Sequence, residues 1–350
     1  MMHIPLFKTY ISWRSVWNVS TLLIKSNYGT YLGEGPQVKA LEQEFGQMFG
    51  VKNVSVLNSG TSALELSYEL AGIGPGDEVI SPVLTFSGTN SCLVHRGAHI
   101  VFADTDRDLN VDIEDVKRKI TPKTKAIVFV HFGGNNRGLK ELLEIGAQKN
   151  IIIIEDAAQA IGSDFWGQAD FTCLSFQAIK TFTTGDGGAL LCKDDEHDKK
   201  GRRLRWFGYD REKKQKEGDT DLVEAGYKYH MNDITAAIGR GNLISLPKMI
   251  AHRKTLMEEY RRQGIPASIW FAHYLSPRRK ELMAFLKESG IHTGIHHYRN
   301  DAYTLFGGRK PFKIMDEIEN QYLLLPLHHG MNVNDVRRIC SLIKSFHEIH

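Results

Sequence analysis

Three clusters in this 350-residue chain hold residue types that could do chemistry. The first is Ser59-Gly60-Thr61-Ser62, between a short expected strand, Val54-Ser55-Val56-Leu57, and a helical pattern from Ala63 to Ala71. Free backbone N–H groups at such a junction, with two hydroxyls, can hold a phosphate; they can also simply cap the helix. The second is Glu155-Asp156, directly after Ile151-Ile152-Ile153-Ile154. A carboxylate at the carboxyl end of a buried parallel strand lies where open α/β sheets place ligands, although Asp is also a common helix cap. The third is Lys180, in Phe176-Gln177-Ala178-Ile179-Lys180-Thr181-Phe182-Thr183-Thr184-Gly185-Asp186-Gly187-Gly188. A lysine held among apolar neighbours loses its proton readily and can attack a carbonyl; a lysine in a surface turn does neither.

The order of the three narrows the chemistry. A phosphate-type turn, a strand-end acid and a flanked lysine together suit pyridoxal phosphate. That cofactor needs a lysine for its Schiff base, an acid to keep its ring nitrogen protonated and an anion cradle for its phosphate. Lys180, once displaced by an incoming amine, can then act as general base and acid.

These residues need a scaffold, and the hydropathy pattern supplies one. Ala126 to Val130 and Ile151 to Ile154 are continuous apolar runs, as strands buried on both faces require, and Leu139 to Lys149 between them has a helical period. Strand, helix, strand at this spacing predicts a mostly parallel sheet with helices on both faces. Further strands are expected at Glu78–Ser81, Ile100–Ala103, Leu174–Gln177 and Gly188–Cys192, and helices at Gln37–Phe49 and Ile113–Ile120, the latter capped by Asp112. From Arg202 to Asp221 the chain is rich in charge and reads as a long exposed loop. A helix from Met231 to Leu243 and, after Pro247, a second to Gln263 are expected next. The remainder predicts a small α+β domain: strands Ser268–Tyr274 and His292–His297 and helices Pro277–Ser289 and Asn334–Phe346. A large domain over residues 1–245 and a small one over 246–350 follow.

Composition gives weak guidance on partners. A formal charge of +3 and 24% charged residues give no reason to expect nucleic acid or a membrane as partner. The four cysteines are far apart in sequence, without CxxC spacing, which points to reduced thiols and a cytoplasmic setting. The apolar stretch from Trp13 to Ile24 contains Arg14 and several polar residues; a peripheral helix is conceivable there, and a surface helix packed on the body is expected. The pairs His296-His297 and His328-His329 sit on neighbouring positions that point to opposite faces of a strand, so no metal is expected.

At the three clusters the sequence resembles the DegT/DnrJ/EryC1/StrS family of sugar aminotransferases, from about Leu32 to the C-terminus. The motifs that carry the resemblance are Gly35-Pro36, Asn58-Ser59-Gly60-Thr61-Ser62-Ala63-Leu64, Gly72-Ile73-Gly74-Pro75-Gly76-Asp77-Glu78-Val79-Ile80, Thr85-Phe86, Glu155-Asp156-Ala157-Ala158-Gln159-Ala160, Ser175-Phe176, Lys180 and Gly185-Asp186-Gly187-Gly188. It implies the fold type I, aspartate aminotransferase-like architecture. It also implies that Lys180 carries the pyridoxal phosphate, that Asp156 pairs with the ring nitrogen, that Gln159 lies near the ring oxygen and that Phe86 stacks on the ring. Gly60, Thr61 and Ser175 would hold the phosphate. His297, Arg299 and Asn300 lie where relatives approach substrate. Relatives are homodimers that share their sites. Lys228 stands where many relatives have an Asn that reaches the partner's phosphate. Some relatives have His in place of the lysine and dehydrate instead, so Lys180 favours transamination. Thr183-Thr184 before the glycines resembles relatives that aminate C4 of the sugar. The implied reaction converts a dTDP- or GDP-linked 4-keto-6-deoxyhexose to the 4-amino-4,6-dideoxy sugar with L-glutamate as donor, as in the deoxyamino-sugar biosynthesis of lipopolysaccharide O-antigen. A C3-aminating transaminase, a dehydratase on the same fold and a non-catalytic binding or regulatory protein are the alternatives. The sequence departs from the family pattern at Asn136–Leu139, Trp166–Ala169 and Tyr260–Ile269, which bears on sugar binding.

Overall fold

The β-branched runs that mark buried strands lie at the centre of a seven-stranded sheet. In the computed structural model, which describes residues 3–29, 31–218 and 221–349, the elements run α1 (Trp13–Ser26), α2 (Pro36–Phe49), β1 (Val54–Leu57), α3 (Gly60–Leu70), β2 (Glu78–Pro82), α4 (Ser87–His95), β3 (His99–Ala103), α5 (Ile113–Lys119), β4 (Thr124–Val130), α6 (Leu139–Lys149), β5 (Ile152–Asp156), β6 (Phe171–Ser175), β7 (Gly188–Cys192), α7 (Asp195–Leu204), α8 (Arg211–Glu217), α9 (Asp233–Arg262), β8 (Ala272–Leu275), α10 (Arg279–Glu288), α11 (Met315–Ile318), β9 (Tyr322–Leu325) and α12 (Val333–Ile349). The sheet order is β1-β7-β6-β5-β4-β2-β3. All neighbours are parallel except β7, which is antiparallel to both β1 and β6.

Both faces of this sheet are covered, and the two-residue repeat of the strands shows how. Ala126, Val128, Val130 and Ile154 pack with Ala63, Leu66 and Leu70 of α3 and Leu93 of α4. Their neighbours Ile127, Phe129 and Ile153 pack on the other side with Val116 of α5 and Leu139 and Leu142 of α6. A run that is apolar at every position is what burial on both faces demands. A second core joins Leu256 and Tyr260 of α9 to α10, α12 and the β8–β9 pair.

Three expectations are corrected. The charged segment after Arg202 is not one loop. Helix α7 continues to Leu204, α8 follows, and Arg205 is buried in ion pairs with Glu34 (2.9 Å) and Glu42 (2.6 Å). Charge there is used for internal pairing, which composition alone does not reveal. The two helices expected around Pro247 are the single helix α9, which also runs through residues 245 and 246. Proline costs the helix one N–H, and the buried residues Leu243, Leu246, Met249 and Leu256 on either side keep it packed. The segment 292–297 is not a strand. Its place beside β8 is taken by β9, and only Gly294 bonds to Leu324, because His297 has a left-handed backbone (φ 68°) that ends any extended run.

Candidate active site

Strand β5 delivers two adjacent carboxylates to opposite faces of the sheet. Glu155 is buried and accepts from the backbone N–H groups of Gly167 (3.0 Å), Gln168 (2.8 Å) and Ala169 (2.8 Å), with His131 Nε2 at 2.8 Å. Burial pushes its carboxyl up, but His131 and these N–H groups hold it below its ordinary value. Glu155 is therefore a clasp on the 167–169 loop. Asp156 faces the other way. Its Oδ2 accepts from the Thr89 hydroxyl at 2.7 Å and its Oδ1 from Ala158 N–H at 3.2 Å, so both oxygens are oriented.

Lys180 lies on the loop between β6 and β7, which its threonines fold. Thr183 Oγ1 donates to the Phe176 carbonyl (2.9 Å), Thr184 Oγ1 donates to the Asp186 carbonyl (2.6 Å), and Gly185 N–H donates to Thr183 Oγ1 (2.9 Å). Both threonines are buried, so they shape the loop that carries Lys180. The Lys180 ammonium lies 4.2 Å from the centre of the Trp270 ring. Trp270 is fixed by its own Nε1, which donates to the Ile179 carbonyl (3.2 Å), and by Phe7 stacked at 4.7 Å. Burial lowers the Lys180 pKa to about 8, against a smaller upward pull from Asp156.

The turn before α3 forms a cradle. Ser59 caps the helix by accepting from Ser62 N–H (3.0 Å), which leaves the first-turn N–H groups of Gly60 and Thr61 without an intrahelical acceptor. A Cβ on Gly60 would lie 2.8 Å from the Ser175 Cβ, so only glycine lets the two segments meet. A Cβ on Gly88 would lie 2.7 Å from the Phe86 ring and 3.7 Å from Thr61 Oγ1, which places Phe86 beside the cradle. Phe86 is 54% exposed, an unusual state for a large apolar ring, and its outer face is free to stack on a planar group. The Gln159 amide is pinned between Gly133 N–H, whose hydrogen bond it accepts (2.6 Å), and His297 Nε2 (3.1 Å). An accessible aromatic face, unsatisfied helix N–H groups, an oriented carboxylate and a desolvated amine fit a planar, phosphate-bearing heterocycle with a carbonyl.

The remaining sequence candidates divide. His297 lies 5.6 Å from Phe86, ring to ring, and its carbonyl accepts from the Tyr322 hydroxyl at 2.7 Å. Burial pushes its imidazole well below its ordinary pKa, so it is neutral. Arg299 has all five N–H groups engaged, by Asp301 (2.7 and 2.8 Å), Asp316, Glu319 (3.0 Å) and the Lys310 carbonyl (2.8 Å). Asn300 donates to the carbonyls of Thr85 (2.7 Å) and Tyr298 (3.0 Å) and accepts from Asn90 (2.8 Å). These two residues hold the segment that presents His297. The Lys228 side chain is exposed, and its carbonyl accepts from Asn58 Nδ2 (3.0 Å). A cleft of about 280 Å³ lined by Asn135, Arg137, Lys254, Arg261 and His273 contains none of these residues. Among the described residues no three of His, Cys, Asp and Glu are grouped to hold a metal, and no helix is long and apolar enough to cross a membrane.

Sequence reasoning missed Thr89 and Trp270. Thr89 had a faint signal, a hydroxyl three residues after Phe86 at the start of a helix. Trp270 had none, since an apolar residue in an expected strand reads as core.

In sequence and in fold the chain is similar to known aminotransferases. Residues 21–344 match the sequence profile of the DegT/DnrJ/EryC1/StrS aminotransferase family. Among solved structures, the sugar aminotransferase CalS13 from Micromonospora echinospora is 29% identical, with a TM-score of 0.89 over 98% of this chain and 99% of that one. The aminotransferase TlmJ from Streptoalloteichus hindustanus is 27% identical, with a TM-score of 0.89 over 98% of each chain. A sugar aminotransferase from Streptococcus pneumoniae, Spr1654, solved in its PLP form, is 26% identical, with a TM-score of 0.85 over 98% of each chain.

Proposed function

Given that the chain belongs to the DegT/DnrJ/EryC1/StrS aminotransferase family, whose members depend on pyridoxal phosphate, we propose that it moves an amino group from L-glutamate to a nucleotide-linked 4-keto-6-deoxyhexose, dTDP- or GDP-linked, giving the 4-amino-4,6-dideoxy sugar. The observation that carries this reading is the desolvated Lys180 amine, held over Trp270 on the loop beside the oriented carboxylate of Asp156.

When bound, pyridoxal phosphate supplies a ring that accepts electron density as the substrate loses a proton. Lys180 would take that proton and return it to the carbon on the other side of the transferred nitrogen, a task suited to an amine whose pKa is about 8. Asp156, oriented by Thr89 and Ala158, would hold a proton on the ring nitrogen. Phe86 would cover one face of the ring and Gln159 would lie beside its oxygen. The N–H groups of Gly60 and Thr61, with the Thr61 and Ser175 hydroxyls, would hold the phosphate. Lys228 is proposed to reach the phosphate in the second subunit of a homodimer, as a charge in place of an amide. His297 is the substrate contact we favour, because it is neutral and sits beside Phe86 and Gln159, while Arg299 and Asn300 fix its segment. A cytoplasmic role in deoxyamino-sugar biosynthesis accords with this chemistry.

A panel of nucleotide-linked 3-keto and 4-keto sugars, assayed with L-glutamate and read by mass and product NMR, tests the proposal. A new amine at C4 is the expected product. Amination at C3 alone, or loss of water without amine transfer, would overturn the regiochemistry or the reaction class respectively.

A further inference from the structure

Helix α1 is packed the wrong way round for a surface helix. Its inner face is polar: Ser12 N–H donates to Asn242 Oδ1 (2.8 Å), Ser15 Oγ donates to the Ile238 carbonyl (2.8 Å), and Asn18 Nδ2 donates to the Ala237 carbonyl (3.3 Å). The α1 and α9 backbones touch here, since a Cβ on Gly241 would lie 2.3 Å from Ser15 N. Leu22 is the sole buried large apolar side chain of α1. The outer face carries most of the apolar residues: Trp13, Val16 and Trp17 at three- and four-residue spacing, and Ile24 one further double turn along, with exposed Ser20 between. Trp13 is 88% exposed, Val16 46%, Trp17 67% and Ile24 64%. A largely apolar stripe with two outward indoles, broken by Ser20, marks an interaction surface, and nothing in α1's own packing requires it.

Charge identifies what covers it. Arg14 and Lys25 flank the stripe and are exposed, and residues 1–33 contain no Asp or Glu. The first acid, Glu34, is buried in its pair with Arg205. A second copy of the helix laid across a two-fold axis would set Arg14 and Lys25 against the same cations with no carboxylate on either side. An anionic surface that accepts indoles satisfies both features. We propose that α1 is a docking surface for an anionic lipid bilayer, which would hold the enzyme at a membrane by Trp13 and Trp17 without any segment crossing it.

The test uses the full chain with its cofactor. Flotation with vesicles of equal parts phosphatidylglycerol and phosphatidylcholine should carry the wild type, and pure phosphatidylcholine should carry much less. Trp13→Ser with Trp17→Ser should weaken binding roughly a hundredfold, since two indoles leave the interface, and Arg14→Gln with Lys25→Gln should remove the preference for the anionic vesicles. Both variants should keep the wild-type melting temperature, turnover and oligomeric state, because these side chains point away from α9. Failure of the wild type to float with either vesicle overturns the proposal. So does a smaller oligomer for the tryptophan variant, which would assign the stripe to a second copy.

Discussion

Replacing Lys180 by Met should stabilise the cofactor-free protein near neutral pH and leave it unchanged in strong base. Burial moves the amine from 10.5 to about 8. At ~1.4 kcal/mol for each tenfold change in proton affinity, the folded chain carries a cost of about 3 kcal/mol while the ammonium is charged. The side chain is half-buried, and Met forfeits the attraction of the ammonium to Trp270, worth roughly 0.5–1 kcal/mol. The net gain expected is therefore about 1–3 kcal/mol. The sign follows from linkage. Below the folded value both states are protonated and the full cost applies. Between about 8 and the unfolded value the unfolded chain binds the extra proton, so wild-type stability rises with pH. Above both values Lys180 is neutral in each state and the two proteins converge. Urea unfolding of both cofactor-free proteins, at one protomer concentration and at pH near 7 and near 10.5, measures the difference directly. A gap that is the same at both pH values, or a variant less stable at neutral pH, would refute the claim that Lys180 is held desolvated.

Other perturbations probe the neighbours of that amine. Thr89→Val removes the hydrogen bond to Asp156 in a nearly isosteric side chain; kcat should fall about ten- to a hundredfold, as loss of one bond to a charged group implies, with the melting temperature moved by only a few degrees. Gly60→Ala places a methyl 2.8 Å from the Ser175 Cβ, and equilibrium dialysis should show cofactor affinity reduced by at least about tenfold. Arg299→Met leaves the buried Asp301 without its ion-pair partner and removes the arginine from Asp316, while Glu319 keeps Arg309; urea unfolding should show a loss of about 3–5 kcal/mol. Were Arg299 instead a free substrate contact, KM would rise while stability held.

What the sequence made legible was the part dictated by local chemistry. The β-branched runs, the Gly60 turn and the glycines after Lys180 each constrain their own backbone, and each is found where the pattern placed it. Pairs that form across the fold were hidden. Glu155 and Asp156 read as one acidic motif, yet the strand repeat sends one to His131 and the 167–169 loop and the other to Thr89. Nothing local separates their roles. The same holds for Arg205, whose partners Glu34 and Glu42 lie more than a hundred residues away in sequence, and for Trp270, which becomes part of the site only because the segment before β8 and the Lys180 loop meet.

Polar residues inside helices were the least legible of all, and they link the two ends of the molecule's function. Asn242 lies mid-helix in α9, where an amide has no local purpose and costs propensity. Its oxygen accepts from Ser12 N–H and from the Ser15 hydroxyl, which seats α1, while its nitrogen donates to the carbonyl of Thr183 at 2.8 Å, three residues from Lys180. One buried amide thus ties the helix that turns its tryptophans outward to the loop that carries the reactive amine. Leaving any of these groups unpaired would cost about 1–3 kcal/mol, so seat, helix and loop are fixed together. The orientation of α1 follows from that seat: its polar face meets Asn242 and the α9 carbonyls, so whatever its opposite face carries points out, and here that is the apolar stripe.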